Sequence, residues 1–193
     1  VFPNWEKLFV EKKYIQAICD SFRQPAFDMH YPANPKEGFF TWALTKAFGH
    51  CLWRSDNGGG GGYYIDEFEE WEPEFDYFNW EQEHDHLFKF PTALLDVGVV
   101  LCQRTKLALG VDPQHHPEAF AGWMQALQSA GIVADGLIDR DLESPERLRF
   151  CRLIVLPNVV CLSEEAVRNL RDYVHVGGTL VATHQTSLRN ADG

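Results

Sequence analysis

The stretch Arg152–Ser187, RLIVLPNVVCLSEEAVRNLRDYVHVGGTLVATHQTS, reads as strand, turn, helix, double-glycine stop and strand. Leu153–Leu156 is a short apolar run that Pro157-Asn158 ends, and runs of that length suit a strand buried on both faces. Ser163 stands where it caps the next helix, with Glu164 and Glu165 in the first turn, where the helix dipole favours negative charge. Leu162 and Val167 have the spacing of a hydrophobic staple, and Val167, Leu170 and Val174 form one apolar stripe. Gly177-Gly178 supplies a left-handed stop. Thr179–Thr183 then reads as a second buried strand. Together these elements make half of a parallel α/β layer.

Working upstream, the same alternation continues. Val97–Cys102 is an apolar run read as a strand. His116-Pro117-Glu118 opens a helix, with proline tolerated in the first turn. Its apolar face is Phe120, Trp123, Met124 and Leu127, and Gly131 ends it. Ile132–Ile138 is a strand interrupted by Gly136, and Ser144-Pro145-Glu146 starts a short helix that carries Leu148. Strands and helices at these spacings predict βαβ units and a parallel sheet with right-handed crossovers. Only four strands are present, so the domain reads as unfinished at Gly193.

The part before Pro91 differs. Trp5–Phe22 is a helix candidate with Leu8, Phe9, Ile15, Ile18 and Cys19 as apolar positions. Pro25–Tyr31 is strand-like, Gly38–Phe48 a helix with Phe39, Trp42, Ala43 and Ala47 inward, and His50–Trp53 a short strand. Two βα-type repeats of this kind suggest the tail of a larger barrel. Residues 1–90 and 91–193 are therefore the expected domains. Gly58–Gly62, five consecutive glycines, reads as a flexible loop. Asp66–Asp85 holds ten acidic residues, no Lys or Arg, and interleaved aromatics. That mix suits a sugar or a cation; the plainer reading is a solvated helix packed through its aromatic side.

Bulk properties narrow the function. The chain has 193 residues, 45% of them hydrophobic, enough for one domain or one domain plus part of another. A net charge of −11 argues against nucleic acid and against an anionic membrane surface as partners. No apolar run approaches the ~20 residues of a membrane span. The segment Val1–Asp20 is too charged for a signal peptide, and the start at Val1 reads as a cut. Five cysteines, an odd number without a C-x-x-C pair, weaken zinc and redox readings. Cys51, Cys102 and Cys151 lie in or beside apolar runs and are expected to be buried, reduced thiols, which fits a cytoplasmic location. No cofactor or metal is expected.

Candidate chemistry is sparse. Cys161, shortly before a helix cap, is the nearest thing to a nucleophile, because a helix N-terminus lowers a thiol pKa. The plainer reading is a semi-buried loop thiol. There is no G-x-C-x-G elbow. His84 and His86 would face one side of a strand but diverge by about 200° on a helix, which the context favours, so a metal there is not expected. His115-His116 reads as a helix start. His184 follows the last strand at its carboxyl end, where open α/β sheets place ligands. No phosphate-binding glycine motif occurs.

The loops carry a resemblance. LPNVVCLSEEAVRNLRDYVHVGGTLVATHQTSL, with Asp192-Gly193 close behind, resembles the trimerisation domain of glycoside hydrolase family forty-two β-galactosidases. Upstream, VGVVLCQR (97–104), the Phe120–Ile132 helix and Asp139–Leu142 also fit. The resemblance covers roughly residues 94–193. It implies an α/β fold of the flavodoxin or class I glutamine-amidotransferase kind that lacks the catalytic cysteine. It also implies a preceding (β/α)8 barrel, whose seventh strand Pro25–His30 would resemble and whose eighth Ala47–Arg54 would resemble. A homo-oligomer, a trimer in that family, and a carbohydrate substrate are the implied partners.

Barrel active sites lie at the carboxyl ends of strands. The resemblance thus places Asp28 and His30 as catalytic candidates and Trp53 and Arg54 as substrate-binding ones. One departure stands out: the family has a glutamate nucleophile after a methionine, and here Met29 is followed by His30. Strand alternation is read as letting only one of Asp28 and His30 face the lumen. Retaining hydrolysis needs two carboxyl groups about 5–5.5 Å apart, and the family's acid/base partner belongs to an earlier strand. The chain alone is therefore expected to be inactive. Two competing readings remain: a free-standing flavodoxin-like binding module with its site around Gln103, Asn158 and His184, and an active amidotransferase.

Overall fold

A computed structural model describes residues 5–30, 35–54, 68–88, 95–110 and 115–191. The chain forms two compact units.

The larger unit holds a four-stranded parallel sheet. Its strands are β3 (Val97–Leu101), β4 (Ala134–Ile138), β5 (Leu153–Pro157) and β6 (Thr179–Thr183), in the order β4-β3-β5-β6. Between them lie α4 (Gln103–Leu109), α5 (His115–Ser129), α6 (Asp139–Leu142), α7 (Pro145–Leu148) and α8 (Glu164–His175). The chain moves outward from β3 to β4, crosses over β3 to β5, and continues to β6. β3 and β5 are the inner strands, so both their faces are covered. Apolar runs rather than alternation are what such strands require. Val99, Val100, Ile154 and Val155 are completely buried.

Each face of the sheet has its own core. On one, Val100, Leu137, Ile154 and Leu156 meet Leu142, Leu148, Ala166, Leu170 and Tyr173 from α6, α7 and α8. On the other, Val97, Val99, Leu101 and Val155 meet Phe120, Met124 and Leu127 of α5. Three of the four expected inward positions of α5 are therefore in the core, and Trp123 packs at its margin.

Helix α1 (Trp5–Phe22) also belongs to this unit, with the sheet rather than with the residues 24–92 that follow it in sequence. It lies against β4, and the reason is Gly136. A Cβ there would sit 2.8 Å from the Cβ of Ala17 and 3.0 Å from the carbonyl of Lys13. The interruption noted in the sequence is thus a docking groove. Lys13 pairs with Asp135 of the same strand, and Lys12 and Ala17 are buried.

The sequence reading of α8 holds at its start. The Ser163 hydroxyl accepts from the Ala166 N–H at 3.2 Å, and Leu162 and Val167 both join the core. At its far end the stripe shifts. Val174 is exposed, and Tyr173 takes the inner place, donating its hydroxyl to the carbonyls of Cys151 (3.2 Å) and Thr179 (3.3 Å). Gly178 is required there, because a Cβ would run into the Tyr173 ring.

Other expectations are corrected. β6 is an edge strand, with Thr179 and Ala182 exposed, and is not buried on both faces. Ile132 and Val133 precede β4 and are exposed. Helix α4, directly after β3, adds an element absent from the spacing-based expectation.

The smaller unit contains β1 (Phe27–His30), α2 (Pro35–Ala47), β2 (Cys51–Arg54), α3 (Phe68–Glu83) and a 3-10 turn at Asp85–Leu87. β1 and β2 pair in parallel, Phe27 opposite Cys51 through His30 opposite Arg54. Trp42 is buried against Tyr77 of α3, ring centroids 4.9 Å apart, and its indole N–H donates to Glu81 at 2.7 Å. For the described side chains the acidic segment is thus a helix packed through its aromatic side. Phe39, expected inward, is 54% exposed and touches Trp42 and Tyr77 only from outside. Cys51, expected to be buried, is exposed. The glycine run 58–62 lies outside the described residues.

A valine at position 136 should push α1 off the sheet and lower unfolding free energy by about 1–3 kcal/mol, as overpacking does. Gly122 of α5 has open space around its Cβ position, so Gly122→Ala should instead stabilise by about 0.5–1 kcal/mol. Urea denaturation of both variants checks the pair of signs.

Candidate functional site

Ligands of open α/β sheets bind beyond the carboxyl ends of the strands. At that edge the larger unit is organised by His116, in the first turn of α5 and fully buried. Its Nε2 accepts the backbone N–H of Cys102 at 2.7 Å, and its Nδ1 donates to the Pro157 carbonyl at 2.7 Å. A backbone N–H only donates and a carbonyl only accepts, so the ring is the neutral Nδ1–H tautomer. Burial pulls its pKa below the usual histidine value, and the Pro157 carbonyl and the Asp139 charge only partly oppose this.

The thiols at this edge are enclosed. Cys102 caps α4, its sulfur accepting the Thr105 N–H at 3.4 Å and donating to the Cys161 carbonyl at 3.3 Å. Burial, reinforced by the Asp139 charge, pushes this thiol up to about 11. Cys151, at the opposite end of the sheet just before β5, is pushed up to about 12 by burial. Cys161, the sequence candidate for a nucleophile, is completely buried. Its N–H donates to Thr105 Oγ1 at 3.0 Å, and the returning segment around Arg189 bridges to it. Thr186 clamps the same loop, accepting from Val159 N–H and donating to the carbonyls of Leu156 and Thr183.

Charged groups at the edge are paired with one another. Asp139, at the end of β4, accepts the N–H groups of Gln103 (2.6 Å) and Arg104 (2.9 Å), where the first turn of α4 favours negative charge. Arg104 donates to Glu143 at 2.6 Å, and the Ser163 hydroxyl donates to the same oxygen at 2.7 Å. Partial burial raises the Glu143 pKa, but the Ser163 hydroxyl and the Arg104 guanidinium outweigh it and hold the carboxyl below its ordinary value. The Glu143 hydrogen bond raises Arg104 in turn. Sequence reading missed Asp139 and Glu143 as partners; the only signal was an acidic residue directly after a strand.

Gln103, Asn158 and His184, named from the sequence, do lie at the carboxyl ends of β3, β5 and β6. Asn158 is buried and receives the Gln185 N–H at 3.4 Å, while His184 is exposed. Both adopt left-handed backbone, φ 54° and 55°. No cysteine stands at either turn. His84 follows the end of α3 and stacks on Trp80. Among the described residues no group of three or more His, Cys, Asp or Glu is placed to hold a metal.

In the smaller unit, Asp28 is buried and its Oδ2 contacts Thr45 Oγ1 at 3.2 Å and His50 Nδ1 at 3.1 Å. His30 is two residues on and shares its face, which corrects the expectation that only one of the two can point one way. The opposite face carries Phe27, Met29, Cys51 and Trp53, all exposed. Trp53 lies beside Met29 and is 60% exposed. Arg54 pairs with His30 in register, and its side chain lies outside the described residues. Asp28 and Trp53 thus point to opposite sides of one parallel pair.

The larger unit defines a class: a parallel α/β layer of the flavodoxin and class I glutamine-amidotransferase kind whose edge holds no accessible thiol among the described residues. The model of the β-galactosidase trimerisation domain family matches residues 96–193. The chain belongs to that family. Similar folds occur in Gan42B, a GH42 β-galactosidase from G. (TM-score 0.74, 16% identity, covering 100% of this chain and 32% of that one). The cold-adapted β-galactosidase from Rahnella sp. R3 is similar too (TM-score 0.65, 15% identity, 95% of this chain and 31% of that one). This chain therefore spans about a third of the length of either structure. No curated protein matches it in sequence. Among the described residues no helix is long and apolar enough to cross a membrane.

Two outcomes follow from the edge. His116→Phe orphans the Cys102 N–H and the Pro157 carbonyl and should cost about 2–5 kcal/mol. Since the folded-state pKa of His116 is depressed below its ordinary 6.5, the unfolded chain binds the proton first as pH falls. Its contribution is then complete above 6.5 and declines as pH drops from there toward the folded pKa. Thermal melts between neutral and mildly acidic pH should show this slope in the wild type and lose it in His116→Phe. In the folded protein iodoacetamide should label Cys51 well before Cys102, Cys151 or Cys161, as peptide mass spectrometry with and without denaturant will read.

Proposed function

We propose that this chain is part of a β-galactosidase-like glycoside hydrolase. It would supply the oligomerisation domain and the end of the catalytic barrel, and would not be catalytic by itself. The observation that carries this reading is the family match over residues 96–193. The enclosed thiols support a domain that assembles rather than reacts. The parallel pair β1–β2 with its intervening helix supports a barrel remnant, because parallel neighbours joined by a helix are the repeating unit of such barrels.

Within that reading the four candidate residues take different roles. Trp53, exposed near the carboxyl end of β2, is the surface on which a sugar ring stacks. His30 and Arg54, the last residues of adjacent strands, sit at the same rim. Asp28, held by Thr45 and His50, positions β1 rather than attacking the substrate. The parent protein is a homotrimer acting on a carbohydrate, and the five free cysteines of this chain suit the cytoplasm.

Light scattering on the full-length parent should return the mass of a trimer; a monomer would overturn the assembly role. In the same protein Trp53→Ala should lower kcat/KM for an aryl galactoside by about five- to tenfold, the scale of one aromatic contact. Unchanged kinetics would remove Trp53 from the site.

A further inference from the structure

The amino end of the larger unit's sheet, opposite to the edge organised by His116, carries a group of uncovered apolar side chains. Ile132 and Val133 stand just before β4, Phe150 shortly before β5 and Val176 shortly before β6. All four are exposed, Phe150 to 68% and Val176 to 84%. The other large apolar side chains that this unit exposes among its described residues, Phe22, Leu107, Val174 and Leu188, sit on α1, α4, α8 and the segment after β6. Apolar residues scattered in that way are ordinary on a surface, whereas a group at one place marks a contact. The strand order β4-β3-β5-β6 sets the four in one row, which runs about 15 Å with strands ~4.8 Å apart. A hollow of about 980 Å³ opens along it, and Ile132 and Val176, from the two outer strands, both line it.

The polar groups of the same face indicate the partner. Tyr173 donates its hydroxyl to the Cys151 and Thr179 carbonyls, and Asn169 donates its amide to the Leu142 carbonyl. Both are engaged within the fold rather than aimed at a small ligand. Arg149, Arg152, Asp96 and Asp172 also line the hollow and are all exposed. Arg152 and Asp96 lie 3.8 Å apart in solvent, a pair weak enough to exchange partners. Two charges of each sign cancel, so the face selects neither a strongly acidic nor a strongly basic partner. It complements itself instead, because in a ring of identical copies the acidic part of one meets the basic part of the next. Apolar residues with arginine and a polar rim are also the make-up of protein–protein contacts.

We infer that the amino end of this sheet is the face through which copies of the parent protein assemble. Phe150 and Val176 are its apolar anchors, with Ile132 and Val133 beside them, and Arg149, Arg152, Asp96 and Asp172 pair with opposite charges of the next copy. This rests on the assembly role proposed above and gives that role a place on the surface. The carboxyl edge, where Asp139, Glu143 and Arg104 are spent on the fold itself, takes no part.

The test uses the full-length parent, with light scattering over a dilution series to read the midpoint at which the trimer dissociates. Phe150→Asp combined with Val176→Asp should move that midpoint to a concentration about a hundredfold higher or more, the scale of losing two interface anchors. Leu188→Asp, at a position as exposed as Phe150, should leave it within about threefold. A second arm needs no loss of assembly and so reads the face even where the double variant does not fold. The photo-crosslinking residue p-benzoylphenylalanine in place of Phe150 should join chain to chain on irradiation, and in place of Leu188 it should not. A wild-type trimer whose midpoint the folded double variant leaves unchanged overturns this face and leaves the assembly role standing. Crosslinks from position 150 confined within one chain do the same, and would put another part of the parent over the patch. A wild-type monomer overturns both.

Discussion

The larger unit is held in register by one neutral imidazole. His116 receives an N–H from the end of β3 and gives its own N–H to the end of β5, both at 2.7 Å. These are the two inner strands, and their carboxyl ends would otherwise leave buried backbone groups without partners. The same bond fixes Cys102, which caps α4, and through Thr105 reaches Cys161 in the loop after β5. One side chain at a helix start thus joins two strands, two helices and a loop. The cost of such a design is that the imidazole must stay uncharged.

Around this tie the edge is satisfied internally. Asp139 is consumed by the first turn of α4, and Glu143 by Arg104 and Ser163. Cys102 and Cys161 are buried, and Cys102 is shifted away from thiolate. A sheet edge of this kind offers rigid shape and a fixed charge pattern rather than a nucleophile or a proton shuttle. That suits the family to which the chain belongs and the assembly role proposed for it.

The smaller unit shows how alternation divides labour between the faces of two strands. Asp28 faces inward to Thr45 and His50 and secures β1 against α2 and the residue that leads into β2. Phe27, Met29, Cys51 and Trp53 face outward and are left uncovered by the chain described here. Sequence reasoning grouped Asp28 with Trp53 because both lie in strands with barrel-like spacing. Proximity in a motif says nothing about which side of the strand each residue takes.

Much of the larger fold was legible because its signals are local. The Ser163 cap, the staple of Leu162 and Val167, the Phe120–Met124–Leu127 face and the glycine stops at 131 and 177 depend on neighbours within a few residues, so spacing alone determined them. The apolar runs at 97–102 and 153–156 likewise determined strands, though not their place in the sheet. What spacing cannot supply is which strand reaches the edge and what a distant residue meets. That Thr179–Thr183 is an outer strand followed from strand order. That Gly136 is a groove for α1 followed from a helix more than a hundred residues away in the chain. The pairings of Asp139, Glu143 and His116 are of the same kind. The sequence by itself determined the α/β class, most helix and strand positions and the lack of a nucleophile elbow. Only the tertiary structure decided which polar groups are spent on each other, because hydrogen bonds between distant segments exist only once the chain has closed.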